Sequence, residues 1–391
     1  MTQNEELNYL SNKVYDFIKS EEKINNLIKA NKTLNILNSN NKIIFVYSAP
    51  KVGSTSIVSS LRIFSNNTYN IIHVHDEEML NVLGNIKNVS VNEIILYNKY
   101  LGKDVYVINI FRSPIERKIS AFFEKIGSYH FNNLDENVNK YNINRVIDRF
   151  NNIFPWLALG DHFLDVYNIN NIPLKFDNNK CFLLVKENGI SYITLRLKDV
   201  TKWNNILQQI FGFEIVIIKD YESRNKPIKD MFTTFKKNYR IPINLLNDLM
   251  KDKHFNFYYS SKELEEYFNE WKNKSAVEYE AYTYDEYKLY TKITLENSHL
   301  DKIQTEHYFD EGCFCRVCTN KRKIVIRNIK RGMAHDKLIH DRITHHQPNK
   351  NIFNKQMMLN DKINNTYNKN NTYSNGNKLK QHLFNFISNR K

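Results

Sequence analysis

Cysteine, glycine and proline are all scarce, at 4, 10 and 7 residues in a chain of 391. Four cysteines do not make a disulfide framework at this length, which excludes a stapled secreted scaffold. Few Gly and Pro beside heavy use of Asn, Lys and Ile is the bias of an AT-rich coding sequence, so Asn-rich stretches carry less structural meaning than usual. No apolar run approaches the roughly 20 residues that span a bilayer, and no membrane span is expected. The first 41 residues, interrupted by Glu5, Glu6, Glu21 and Glu22, lack the basic start and apolar centre of a signal peptide. A cytoplasmic location is the expectation. Hydrophobic residues, at 41%, are enough for a real core, and the length suggests one large domain or two modest ones. The formal charge of +14 implies an anionic partner: nucleotide, acidic glycan, nucleic acid or membrane surface.

Apolar residues at helical intervals over Leu7–Leu37 (Val14, Phe17, Ile18, then Ile24, Leu27, Ile28) predict one or two amphipathic helices. A β-branched and aromatic strand, Lys42–Tyr47, runs into Ser48-Ala49-Pro50-Lys51-Val52-Gly53-Ser54-Thr55-Ser56 and then a helix marked by Ile57, Val58 and Leu61. A second strand, Asn70–Val74, ends at His75-Asp76-Glu77. A third, Val105–Phe111, ends at Arg112-Ser113-Pro114 and feeds a helix through Ile115, Ile119, Phe122 and Phe123. Further strands are expected at Ser191–Leu197 and Glu214–Lys219, and helices at Asn225–Asn238 and Leu245–Lys272. Cys181, in the apolar run Cys181–Val185, reads as a core residue. The alternation predicts an α/β fold with a central parallel sheet flanked by helices.

Two loops carry anion chemistry. Pro50–Ser56 places Lys51, Gly53, Ser54, Thr55 and Ser56 between a buried strand and a helix N-terminus, where unpaired N–H groups favour phosphate or sulfate. It is not a Walker A loop, because Lys51 precedes the only Gly. In the second, Arg112 leaves a strand end, Pro114 suits the first turn of the next helix, and Ser120 lies two turns along it. Arg and Ser can then grip one phosphate from two sides. Taken singly, each loop also suits an ordinary capped strand–helix turn.

As a pair, Pro-Lys-x-Gly-Ser-Thr followed by Arg-x-Pro and a helical Ser resembles the sulfotransferases that use 3′-phosphoadenosine 5′-phosphosulfate (PAPS). The resemblance implies a P-loop-like sulfotransferase fold. It implies that Lys51, Gly53, Ser54, Thr55 and Ser56 hold the 5′-phosphosulfate, and that Arg112 and Ser120 hold the 3′-phosphate. The run Arg112–Phe123 is more similar to the glycan-modifying branch than to the small-phenol branch, which implies a carbohydrate or other hydroxyl acceptor. The likeness covers about residues 41–272 and extends to capsular-polysaccharide-synthesis relatives through Asp165–Phe176, Asn225-Lys226-Pro227 and Phe257–Ser260. Ile228, Met231 and Phe232 depart from it, standing where tyrosines are expected.

Sulfuryl transfer needs a base for the acceptor proton, and His is the usual one near neutral pH. His73 and His75, two apart on a strand, point to one side and can line one wall near the carboxyl ends of the strands. A similar His-x-His supplies the base in glycan 2-O-sulfotransferases. The resemblance therefore implies His75 as base, His73 as its support and Lys51 as the charge that assists departure of the sulfuryl group. Asp76, Glu77 and Glu78 are the carboxylate alternatives, and they also suit an acidic first helical turn.

Beyond the matched region, His307, Cys313, Cys315 and Cys318 could form a structural Cys₃His zinc site, with His335, His340, His345 and His346 as other candidate ligands. Reduced packing cysteines and redox activity remain open readings. The basic run Lys321–Arg331 is interleaved with aliphatics and has no aromatics, which argues against nucleic acid as its partner. The expected organisation is a helical segment (1–40), a sulfotransferase domain (41–272), a Cys/His-containing basic extension (273–346) and an Asn/Lys-rich tail (347–391). Two alternatives stand beside sulfotransfer: another P-loop-like phosphotransferase, and a non-catalytic module binding nucleic acid or protein through its Cys/His-rich end.

Overall fold

The computed structural model describes residues 21–36, 41–124, 126–131, 134–218 and 227–296. Five strands form the central sheet: β1 (Lys42–Tyr47), β2 (Asn70–Val74), β3 (Asp104–Phe111), β4 (Phe182–Glu187) and β5 (Ile190–Arg196). Their order is β2-β1-β3-β5-β4. All neighbours run parallel except β4, which returns antiparallel on β5 at one edge. The protein is thus an α/β fold with a mostly parallel sheet flanked by helices.

Both faces of the sheet are covered, and the sequence of β1 shows why. Ile43, Ile44, Phe45, Val46 and Tyr47 are all buried, the continuous apolar run that a doubly covered parallel strand requires. Ile43, Phe45 and Tyr47 face α1 (Glu21–Thr33) and α4 (Val91–Tyr100) through Leu27, Ile94 and Ile95. Ile44 and Val46 face α2 (Ser54–Phe64) through Ile57, Val58 and Leu61. Between α2 and α4 lies α3 (Glu77–Gly84). A third cluster grows from α5 (Pro114–Phe122), where Phe122 packs with Phe150 and Phe235.

Residues past Lys272 continue this third cluster. Ser275–Ala276 pairs with Ile241–Pro242, the Tyr282 amide donates to Asn152 O at 2.8 Å, and Tyr290 is buried. No described helix is long and apolar enough to cross a membrane.

Two expectations are corrected. Residues 214–218 of the expected strand Glu214–Lys219 form no ladder; the amides of Ile217 and Ile218 donate instead to Asn204 Oδ1 and Ser60 Oγ at 3.0 and 2.8 Å. The expected helix Leu245–Lys272 is three helices, Ile243–Met250, Lys253–Tyr258 and Ser261–Lys272. Asp252 and Ser260 interrupt it, each accepting from an amide three residues on, which favours a new helix start over continuation. Of the expected helix Asn225–Asn238 the described part is Lys229–Asn238, and Asn225 and Lys226 lie outside the described residues.

The third cluster makes a testable statement about pH. His130 is buried against Phe122, and burial, then Arg149, pulls its pKa down to about 3. The unfolded chain takes up that proton below about pH 6.5 while the folded chain does not, so stability falls as pH falls from there toward 3. The slope reaches about 1.4 kcal/mol per pH unit for this one group. Urea unfolding at pH 6 and pH 4.5 should show this loss, and His130→Gln should show less of it. An identical slope in the variant would contradict a neutral buried His130.

Candidate functional site

The chain crosses from β1 to β2 on one side and then to β3 on the other, so the carboxyl ends of β1 and β3 bound the crevice where open parallel sheets bind ligands. A cavity of ≈ 480 Å³ lies there. Its wall takes Lys51 and Gly53 from the loop after β1, Ser54, Thr55 and Ser56 from the first turn of α2, His75 from the end of β2, and Arg112 and Ser120 from the segment after β3. These residues come from three strand ends and converge on one space. Glu124 and Phe232 also face it.

The first loop is shaped by backbone conformation. Lys51 and Gly53 have φ of 69° and 92°, both left-handed. Gly53 is also required for closeness, since a Cβ there would stand 2.9 Å from Leu197 Cδ1. It is the N-cap of α2 and supplies no side chain to the first-turn amides, so the positive end of the helix faces the cavity uncapped from within.

The second segment braces the first. Arg112 Nη1 donates to the Lys51 carbonyl at 3.0 Å, and burial lowers the Arg112 pKa, opposed by Glu116 and Tyr267. Arg117 is buried and donates to the carbonyls of Pro50, Leu159 and Gly160 at 3.3, 3.3 and 2.7 Å. With its donors turned to main-chain oxygens, Arg117 is a clamp on the loop rather than a ligand for an anion.

The two histidines divide their tasks. His75 Nδ1 lies 2.7 Å from Ser48 O, and because a carbonyl can only accept, Nδ1 carries a hydrogen, which in the neutral ring leaves the lone pair on Nε2. His75 lines the cavity. His73 does not; its Nε2 meets Ser54 Oγ at 3.0 Å beneath the loop. Burial, then His75 and Arg62, lowers its pKa to about 4, so His73 is neutral at physiological pH. The two rings sit edge to face with centroids 4.7 Å apart. The expectation that both imidazoles line one wall is therefore corrected, because the β2 ladder holds His73 under α2.

The alternative carboxylates have other tasks. Asp76 caps α3 by accepting from Met79 N at 2.8 Å, and Glu77 accepts from Val91 N at 3.1 Å. Glu78 is exposed. Residues unmarked by any motif also matter. His162 Nε2 donates to the His75 carbonyl at 2.6 Å and fixes the backbone that carries the candidate base. Glu124 follows Ser120 by four residues, just past the end of α5, and both line the cavity.

A second, smaller cavity of ≈ 180 Å³ shares Arg112 and is otherwise lined by residues such as Lys118, Phe154 and Leu249. His307, Cys313, Cys315 and Cys318 lie outside the described residues, as do the other C-terminal histidines and the basic run 321–331. Among the described residues no group of three or more His, Cys, Asp or Glu could hold a metal ion. The chain matches no protein-family model, no curated protein and no solved structure.

Proposed function

We propose that this protein transfers a sulfuryl group from PAPS to a hydroxyl acceptor, a carbohydrate by the resemblance of its second motif, on a P-loop-like sulfotransferase fold. The observation that carries the reading is convergence. Lys51, Gly53, Ser54, Thr55, Ser56, His75, Arg112 and Ser120, each picked out by residue chemistry along the chain, line one cavity at a strand-order switch point.

The chain's own residues suit each part of the task. The uncapped start of α2 and Lys51 receive the 5′-phosphosulfate, and Arg112 and Ser120 receive the 3′-phosphate. His75 Nε2 takes the proton from the acceptor hydroxyl. The acceptor oxygen bonds to sulfur as the bond from sulfur to the 5′-phosphate oxygen breaks, and Lys51 offsets the charge left on that oxygen. The formal charge of +14 favours approach of so anionic a donor.

Incubation with ³⁵S-labelled PAPS and a panel of neutral and acidic oligosaccharides tests this. Label should appear on an acceptor with one adenosine 3′,5′-bisphosphate released per transfer. Phosphoryl transfer from ATP in its place would overturn the proposal in favour of a kinase.

A further inference from the structure

Glu124 is out of character with its surroundings. It is the only acid among the described residues lining a cavity whose polar wall is otherwise a lysine, an arginine, a histidine, hydroxyls and a helix N-terminus. It also sits just past the carboxyl end of α5, its amide bonded to Ala121 O at 3.2 Å, where the helix dipole disfavours a negative charge. What holds it there is an ion pair between its Oε1 and Lys51 Nζ. The Lys51 side chain is 15% exposed and that of Glu124 38%, so the lysine is the more buried partner of the pair.

We propose that Glu124 is a latch on the donor site: it positions the Lys51 ammonium, and the anionic 5′ end of the donor must take that ammonium from it. The inference rests on the reading that Lys51 receives the phosphosulfate. A phosphate at the first loop and the Glu124 carboxylate compete for one cation, and the two anions repel if both remain. Every ligand that needs Lys51 therefore meets the same penalty. A ligand held only through Arg112 and Ser120 escapes most of it. Lys51 is thereby kept from non-specific anions while its ammonium stays oriented toward the loop.

Titration calorimetry with adenosine 3′,5′-bisphosphate, 5′-AMP and 3′-AMP separates this from a general charge effect. Glu124→Gln should bind the bisphosphate and 5′-AMP about 3- to 10-fold more tightly than wild type, the range between a half-exposed ion pair and a charge-assisted bond. Binding of 3′-AMP should stay within about twofold, and the double variant Lys51→Met with Glu124→Gln should lose the gain. Equal tightening of all three nucleotides would mean only that a negative charge had been removed, and would overturn the latch. So would unchanged or weaker binding of the bisphosphate. If neither wild type nor variant bound any of the three, the donor-site reading would fall and the latch with it. Wild-type preference for the bisphosphate with no effect of Glu124→Gln would remove the latch alone.

Discussion

Replacing His75 with alanine should lower the rate of sulfuryl transfer by about 10²- to 10⁴-fold, the usual contribution of a positioned general base. Binding of adenosine 3′,5′-bisphosphate should change little. The separation is expected because His75 meets the cavity through Nε2 while its other nitrogen is committed to Ser48 O. That commitment fixes the tautomer in which Nε2 can accept a proton. His73→Phe should behave differently. His73 touches Ser54 Oγ and the His75 ring, not the cavity, so its loss should disturb donor affinity as well as rate. A His75→Ala enzyme retaining more than about a tenth of wild-type activity would move the base to another residue.

Arg196→Met should destabilise the fold by about 3–5 kcal/mol, the loss typical of removing one partner from a buried ionic network. Arg196 ends β5 and is 2% exposed. Its Nε donates to Asp199 Oδ2 at 2.6 Å, and its Nη1 reaches Glu263 Oε2 at 3.0 Å, Asn178 Oδ1 at 2.5 Å and the Tyr258 carbonyl at 2.9 Å. The turn after β5, the segment before β4 and the helices Lys253–Tyr258 and Ser261–Lys272 thus meet on one guanidinium. Its removal leaves the Asp199 carboxylate buried without its partner, a state costing more than the attraction itself contributes. Leu197, the next residue, packs against Gly53, so the same change should also loosen the first anion loop. Urea unfolding reads the effect as a lower midpoint at unchanged slope. A loss under about 1 kcal/mol would mean that the network contributes no more than a surface pair.

The sheet centre was legible because β1, β2 and β3 are short apolar runs that each stop at a loop rich in chemistry. β2 is Asn70–Val74 as expected, and β3 begins one residue earlier than expected. The edge strand β4 was less visible, since Cys181–Val185 reads equally as core. A local signal was nonetheless present. Asn188-Gly189, with φ of 51° and 70°, is the left-handed pair that closes a tight hairpin between β4 and β5. The false strand at Glu214–Lys219 has the opposite origin. Ile215 is buried, but its segment pairs with side chains of α2 and of the helix Trp203–Phe211 rather than with a strand.

At the site, the loops announce themselves through residue type: a lysine, a lone glycine and hydroxyls before a helix, then an arginine at a strand end. Their roles do not. The tautomer of His75 depends on a backbone oxygen, the retreat of His73 on sheet register, and the character of Glu124 on a lysine in a different loop. The difference between Arg112, which lines the cavity, and Arg117, which clamps main-chain carbonyls, is likewise tertiary. Two arginines of one motif end with opposite tasks because Arg112 leaves the strand end toward the cavity while Arg117, on the first turn of α5, is turned to the carbonyls of Pro50, Leu159 and Gly160.

The central claim, that the cavity recognises a nucleotide by its 3′-phosphate, is tested most directly by calorimetric comparison of adenosine 3′,5′-bisphosphate with 5′-AMP on wild type and Arg112→Ala. A charge-assisted contact of this kind contributes about 1.5–3 kcal/mol, so the bisphosphate should bind roughly 10- to 100-fold more tightly than 5′-AMP. Arg112→Ala should remove most of that advantage. Equal binding of the two nucleotides by the folded wild type would contradict the account.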